Sequence, residues 1–125
     1  MRHGRHYTLE AARAELPWVA DRLAAMRRAH AALTDGDARE ALAEAAPGNG
    51  GGQRGRQVGE AFAELQLGAA AFRRREIVVR DLDRGLVDFP ALREGREVYL
   101  CWVDGEPDIE FWHDLDAGFA GRRPL

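Results

Sequence analysis

From Leu9 onward, seam positions recur alternately three and four residues apart, at Leu9, Ala12, Leu16, Val19, Leu23, Met26, His30 and Leu33. Such spacing places one stripe along a helix and repeats as a heptad. It predicts helix over residues 8–34, opened by Thr8 as a cap, with Glu10 in the first turn where a carboxylate suits the helix dipole. Pro17 falls inside the pattern, so a kink or short break is expected near Leu16. A second stripe, Val58, Phe62, Leu65, Ala69 and Phe72, predicts a return helix over residues 57–76, in which Gly68 and Ala70 let another helix come close. Residues 35–56 between the stripes read as a flexible glycine-rich connector holding a short helix at 37–46.

After Arg75 the period changes to two. The runs GLVDFPA, REVYLCWV and DIEFWHD predict a three-stranded meander over residues 85–114, followed by a tail at 115–125. Asp104-Gly105 between the last two runs predicts a two-residue hairpin, and LREG before them a four-residue loop. In that register Trp102 faces Pro107, Leu100 faces Ile109, Val98 faces Phe111, and Arg96 faces His113. Phe89 then faces Val98, and Val87 faces Leu100, so one face is continuously apolar. The expected architecture is α+β: one domain over residues 1–125, with a long antiparallel helical hairpin packed on a small three-stranded antiparallel sheet. The opposite face carries Leu86, Asp88, Tyr99, Cys101, Asp108, Glu110 and Trp112. Rings mixed with acids on an outward face call for a cover: the tail, a partner or a ligand.

Composition narrows the classes of function. The 125 residues, 46% hydrophobic and 31% charged, suit one folded domain rather than a disordered chain. A net charge of −3 with interspersed signs argues against nucleic-acid or membrane-surface binding. All 18 basic residues are Arg, which excludes lysine chemistry, and GNGGGQRG lacks the Lys and Ser/Thr of a phosphate-binding loop. Cys101 is the single cysteine, and the N-terminal MRHGRHYTLE has no apolar secretion signal, so a cytoplasmic location is expected.

Several strings together carry a resemblance. Tyr-Thr-Leu-Glu at 7–10, RDLDRGLVDFPA at 80–91, REVYLCW at 96–102, GEP at 105–107 and WHDLDAGFAGRRPL at 112–125 resemble the prokaryotic family of the domain of unknown function 2203. The resemblance spans the chain outside its glycine-rich loop. It implies that the C-terminal tract is the family signature, and it implies no activity.

The candidate chemistry lies on the second sheet face and the tail. Asp88, Asp108 and Glu110 near Tyr99 and Cys101 could hold a divalent metal or divide acid and base roles; solvated charge is the bland alternative. His113 could ligate a metal with Glu106, Glu110 or Asp114, although no standard metal-ligand spacing is present, or could serve as an edge histidine beside Arg96. Cys101 in mid-strand reads as packing rather than nucleophile. His3 and His6 fall in a terminus expected to be mobile, and His30 reads as a core-edge or dimer-interface residue. Phe119, Arg122 and Arg123 belong to a tail that either covers the rings or contacts an anion. Two functions stay open: a ligand- or metal-binding module built from Asp88, Tyr99, Glu106, Glu110, Trp112, His113 and Arg122, or a non-enzymatic interaction protein that homodimerises or holds a protein partner.

Overall fold

A computed structural model of the chain describes residues 1–34 and 53–125. Of the connector expected at 35–56, positions 35–52, with the short helix at 37–46, lie outside the described residues; positions 53–56 are helical, so the return helix starts four residues before the expected 57. The fold is α+β: helix α1 (Leu9–Thr34), helix α2 (Gln53–Arg75) and an antiparallel sheet of five strands. The strands β1 (Val78–Asp81), β2 (Leu86–Arg93), β3 (Arg96–Val103), β4 (Phe111–Asp114) and β5 (Arg123–Pro124) lie in sequence order, with a single 3₁₀ turn at Phe119–Gly121. Two strands thus join the expected three. The β-branched run Ile77-Val78-Val79 was available as a signal, whereas Arg123–Pro124 is a strand because Trp112 and Phe111 pair with it.

The described residues form two compact units, Met1–Asp21 with Ala71–Leu125 and Arg22–Ala70. In the second, Leu23, Met26, Ala29, Val58 and Ala61 are buried, and Arg22 pairs with Glu64 at 3.2 Å. The seam departs from a strict heptad there: Ala29 is buried where His30 was expected, and Phe62 is 48% exposed while Ala61 is buried. Gly68 lies against Met26, where a Cβ would come within 2.5 Å of Sδ, so the close approach read from the sequence is made at this glycine.

In the first unit Thr8 caps α1, its Oγ1 accepting the Ala11 amide at 3.0 Å. The helix runs unbroken through Pro17, which is exposed, so water can take the Arg13 carbonyl that proline leaves without a helical donor. Trp18 meets Phe72 edge to face at 5.0 Å, and Arg75 lies over Trp18 while pairing with Glu15 at 2.6 Å. Tyr7 packs edge-on to Phe89 and donates its hydroxyl hydrogen to the Arg75 carbonyl. Val87, Phe89, Ala91, Val98, Leu100 and Trp102 are buried on one face, as their alternation predicts. Phe89, fully buried, contributes roughly 1.5–3 kcal/mol by leaving water.

The register departs from expectation at both turns. β2 and β3 are joined by Glu94-Gly95, both at positive φ (53° and 76°), the signature of a two-residue type I′ turn. Phe89 therefore faces Leu100 and Val87 faces Trp102, a slip of two that preserves each residue's face. Asp104-Gly105 opens a longer loop instead. Glu106 ends the ladder, its Oε1 accepting the Val103 amide at 2.7 Å and its carbonyl accepting Trp102 Nε1–H at 3.0 Å. Pro107 then has no amide with which to resume it. β4 consequently pairs Leu100 with Trp112 and Tyr99 with His113, an odd slip that turns every β4 side chain to the other face. Trp112, expected on the second face, is buried on the first; His113, expected beside Arg96 on the apolar side, is buried on the second.

Candidate metal centre

Asp88, Cys101 and His113 come from β2, β3 and β4, so three neighbouring strands each bring one polar side chain to the second face. All three are buried, at 1%, 0% and 1% exposure. One nitrogen, one sulfur and one carboxylate oxygen lie within 4.8 Å of one another. They floor a cavity of about 420 Å³ whose rim includes Arg2, Arg80, Asp116 and Phe119.

The orientation of His113 is determined by its neighbours. Nδ1 lies 2.7 Å from the Asp114 carbonyl oxygen, which can only accept, so Nδ1 carries a hydrogen. Nε2 faces Asp88 Oδ1 at 2.9 Å. A lone pair on nitrogen opposite a carboxylate oxygen would repel it, so this contact requires a proton or another cation between the two atoms. Asp88 is held from its other side: Arg80 donates from Nε to Oδ2 at 2.9 Å. Arg80 is the unpaired residue of β1 between Val79 and Asp81; Val78 pairs with Asp88 and Val79 with Val87, so the alternation of β1 puts Arg80 on the face that Asp88 occupies. Burial, reinforced by the charge on Asp88, pushes the Cys101 thiol up to about 12, so the sulfur is a thiol at neutral pH. Both histidine nitrogens are engaged and the thiol is protonated, an arrangement unlike an activated nucleophile with a free base.

The remaining sequence candidates are dispersed. Tyr99 adjoins the cluster, 5.5 Å from the His113 ring. Glu106 is committed to Arg122, which donates from Nη2 at 2.7 and 2.9 Å. Glu110 is exposed in the loop before β4, its carbonyl accepting the Leu125 amide. Asp108 pairs with Arg13, which holds its carboxyl below the ordinary aspartate value. Neither Glu106 nor Glu110 joins His113 in a group of three ligand atoms among the described residues. Trp112 lies on the other face, as described above.

The cover of the second face comes from both ends of the chain. The tail supplies Phe119 at the cavity rim, with Arg84 and Arg122 over its ring. The N-terminal segment supplies the rest: buried Glu97 accepts the amides of Arg2 and His3 and the Nε2–H of His6, while His3 Nε2 lies 2.6 Å from the Tyr99 hydroxyl. The two histidines expected in a mobile terminus are thus tied to the sheet. Tyr7 continues the attachment by donating its amide to the Pro90 carbonyl, on the outer edge of β2 where proline's missing amide costs no ladder bond.

The hydrogen bond from His6, opposed in part by burial and reinforced by the two backbone amides, holds the Glu97 carboxyl at about 2, against an ordinary 4.5. Because the folded value lies below the unfolded one, the stabilisation is complete above pH 4.5 and is lost as pH falls toward 2. Urea titrations between pH 5 and 2 should show the wild type losing more stability than Glu97→Gln; parallel losses would refute this role for Glu97.

A family model described as "Uncharacterized conserved protein (DUF2203)" matches residues 5–125. The chain belongs to the DUF2203 family. The match covers β1 to β5 and so spans Asp88, Cys101 and His113. No curated protein and no solved structure compared with the chain matches it. No helix among the described residues is long and apolar enough to cross a membrane.

Proposed function

We propose that this DUF2203 protein is a metal-binding module that takes a borderline divalent ion of the zinc class through Asp88, Cys101 and His113. The observation that carries the reading is the fixed orientation of His113: the Asp114 carbonyl takes the Nδ1 hydrogen and leaves Nε2 directed at Asp88 Oδ1. A ligating histidine is commonly held in that way by its second nitrogen. Arg80 supplies the corresponding outer contact to the carboxylate.

The donor set selects the ion. One sulfur, one imidazole nitrogen and one oxygen favour zinc or a neighbouring transition metal over calcium or magnesium, which take oxygen ligands. In a tetrahedral site with bonds of about 2.0–2.3 Å the ligand atoms sit about 3.3–3.6 Å apart. The pair now at 2.9 Å would open slightly, and the three atoms now within 4.8 Å would draw together. Three protein ligands leave a fourth position, which faces the cavity.

Cobalt titration of chelator-stripped protein tests this reading. The expected result is saturation at one equivalent with a thiolate-to-cobalt charge-transfer band, lost in Cys101→Ser. His113→Gln should weaken binding at least tenfold, and zinc should displace the cobalt. No saturable binding, or a spectrum unchanged by Cys101→Ser, would overturn the assignment.

A further inference from the structure

A second concave site lies away from the metal cluster, where the β2–β3 turn meets β5. Arg93, Arg96 and Arg123 converge on Trp112, their guanidinium carbons 4.6, 6.0 and 5.4 Å from the ring centroid. With Glu94 they line a hollow of about 410 Å³. Arg96 is paired with Asp114 at 3.1 Å; Arg93 and Arg123 have no ion-pair partner among the described residues. Their contacts to one ring put these two guanidiniums within about 10 Å of each other. Cation–π attraction offsets part of their mutual repulsion, and an anion between them would relieve the rest. Set against Asp114 and Glu94, the three arginines leave an excess of positive side-chain charge, which suits an anion.

The adjoining hollow supplies the other half of a ligand. It measures about 220 Å³, shares Arg93 and Trp112 with the first, and is walled by Ala91, Val98, Leu100 and Leu125. Leu92 and Leu125, at its edge, are 49% and 44% exposed, so apolar surface borders the hollow. At about 30 Å³ for a group the size of a water molecule, the hollow takes about seven carbons.

We propose that the paired hollows bind a monocarboxylate with a medium-length aliphatic chain, the carboxylate between Arg93 and Arg123 and the chain against Ala91, Val98 and Leu100. The planar guanidinium fork matches a carboxylate, and burial of the chain gives the preference over smaller anions.

Calorimetric titration with octanoate, below its micelle-forming concentration, tests the proposal on the full chain. Saturable 1:1 binding is expected, with acetate and octanol each at least tenfold weaker. Arg93→Ala/Arg123→Ala should lower octanoate affinity at least tenfold while leaving cobalt binding unchanged, which separates this site from the metal centre. Arg123→Glu, on an exposed side chain, provides a second variant should the double substitution fail to fold. Acetate binding as well as octanoate would reduce the site to a general anion patch, and octanol doing so would reduce it to an apolar groove; either overturns the proposal. So would unchanged affinity in the arginine variants, or a short peptide with a free C-terminal leucine binding more than tenfold tighter than octanoate.

Discussion

Replacing Asp88 with alanine is expected to destabilise the protein by about 3–5 kcal/mol, read from the urea midpoint at neutral pH. Asp88 and His113 are both buried, joined at 2.9 Å, and Arg80 holds the second carboxylate oxygen. Removing the carboxylate leaves the hydrogen-bonding capacity of His113 Nε2 buried and unmet, and Arg80 loses its partner. The cost of breaking such a pair comes chiefly from the group left behind. Asp88→Leu/His113→Leu should therefore recover much of the loss, since neither orphan remains. A deficit below about 1 kcal/mol in Asp88→Ala, or no recovery in the double variant, would contradict a buried coupled pair. The comparison belongs in metal-free protein, because a bound ion adds its own stabilisation to the wild type.

Arg122→Met is expected to cost about 2–3 kcal/mol and to detach the C-terminal strand, because charge-assisted hydrogen bonds of this kind contribute about 1.5–3 kcal/mol. The guanidinium lies 4.0 Å over Phe111 and 4.9 Å from Phe119 while its Nη2 contacts both oxygens of Glu106. Glu106 in turn terminates β3 by accepting the Val103 amide. One side chain thus connects the end of the central ladder, the start of β4 and the tail. Methionine retains some apolar packing but supplies neither the charge nor the planar fork. Arg122→Lys should rescue only part of the loss, since an ammonium cannot lie flat between two rings. Amide exchange at Arg123 and Leu125 should rise in step with the lost stability. Exchange unchanged from wild type in Arg122→Met would show that β5 is held by its strand pairing alone.

The cluster at the centre of the second face was partly visible in the chain. Asp88, Tyr99 and Cys101 alternate with Val87, Leu100 and Trp102, and a period of two keeps them on one face for any register between β2 and β3 that differs by an even number of residues. The slip of two at Glu94-Gly95 therefore leaves them together. His113 was legible as a polar residue in a strand but not as a neighbour of Asp88. Its face depends on the parity of the connection after Val103, and Asp104-Gly105 carries a strong hairpin signal of its own. What overrides that signal is Glu106, which accepts the Val103 amide and itself receives Arg122 from the tail. Arg122 is sixteen residues further along the chain. Arg80 was hidden with the strand that carries it: Ile77-Val78-Val79 is a short apolar run without alternation, and the Arg80 bond to Asp88 exists only once β1 pairs with β2. His3 and His6 looked like part of a free terminus because no apolar run lies near them in sequence, yet Glu97 collects them from more than ninety residues away.

By itself, the sequence determined two amphipathic helices, the Thr8 cap, the close approach at Gly68 and the apolar face of β2 and β3. These depend on propensity and periodicity, which act over a few residues. Only the tertiary structure decided the strand count, the face of β4 and hence the meeting of Asp88, Cys101 and His113, together with the convergence of three arginines on Trp112. Those outcomes rest on buried hydrogen bonds and ion pairs between distant residues, whose geometry exists only once the chain has closed around them.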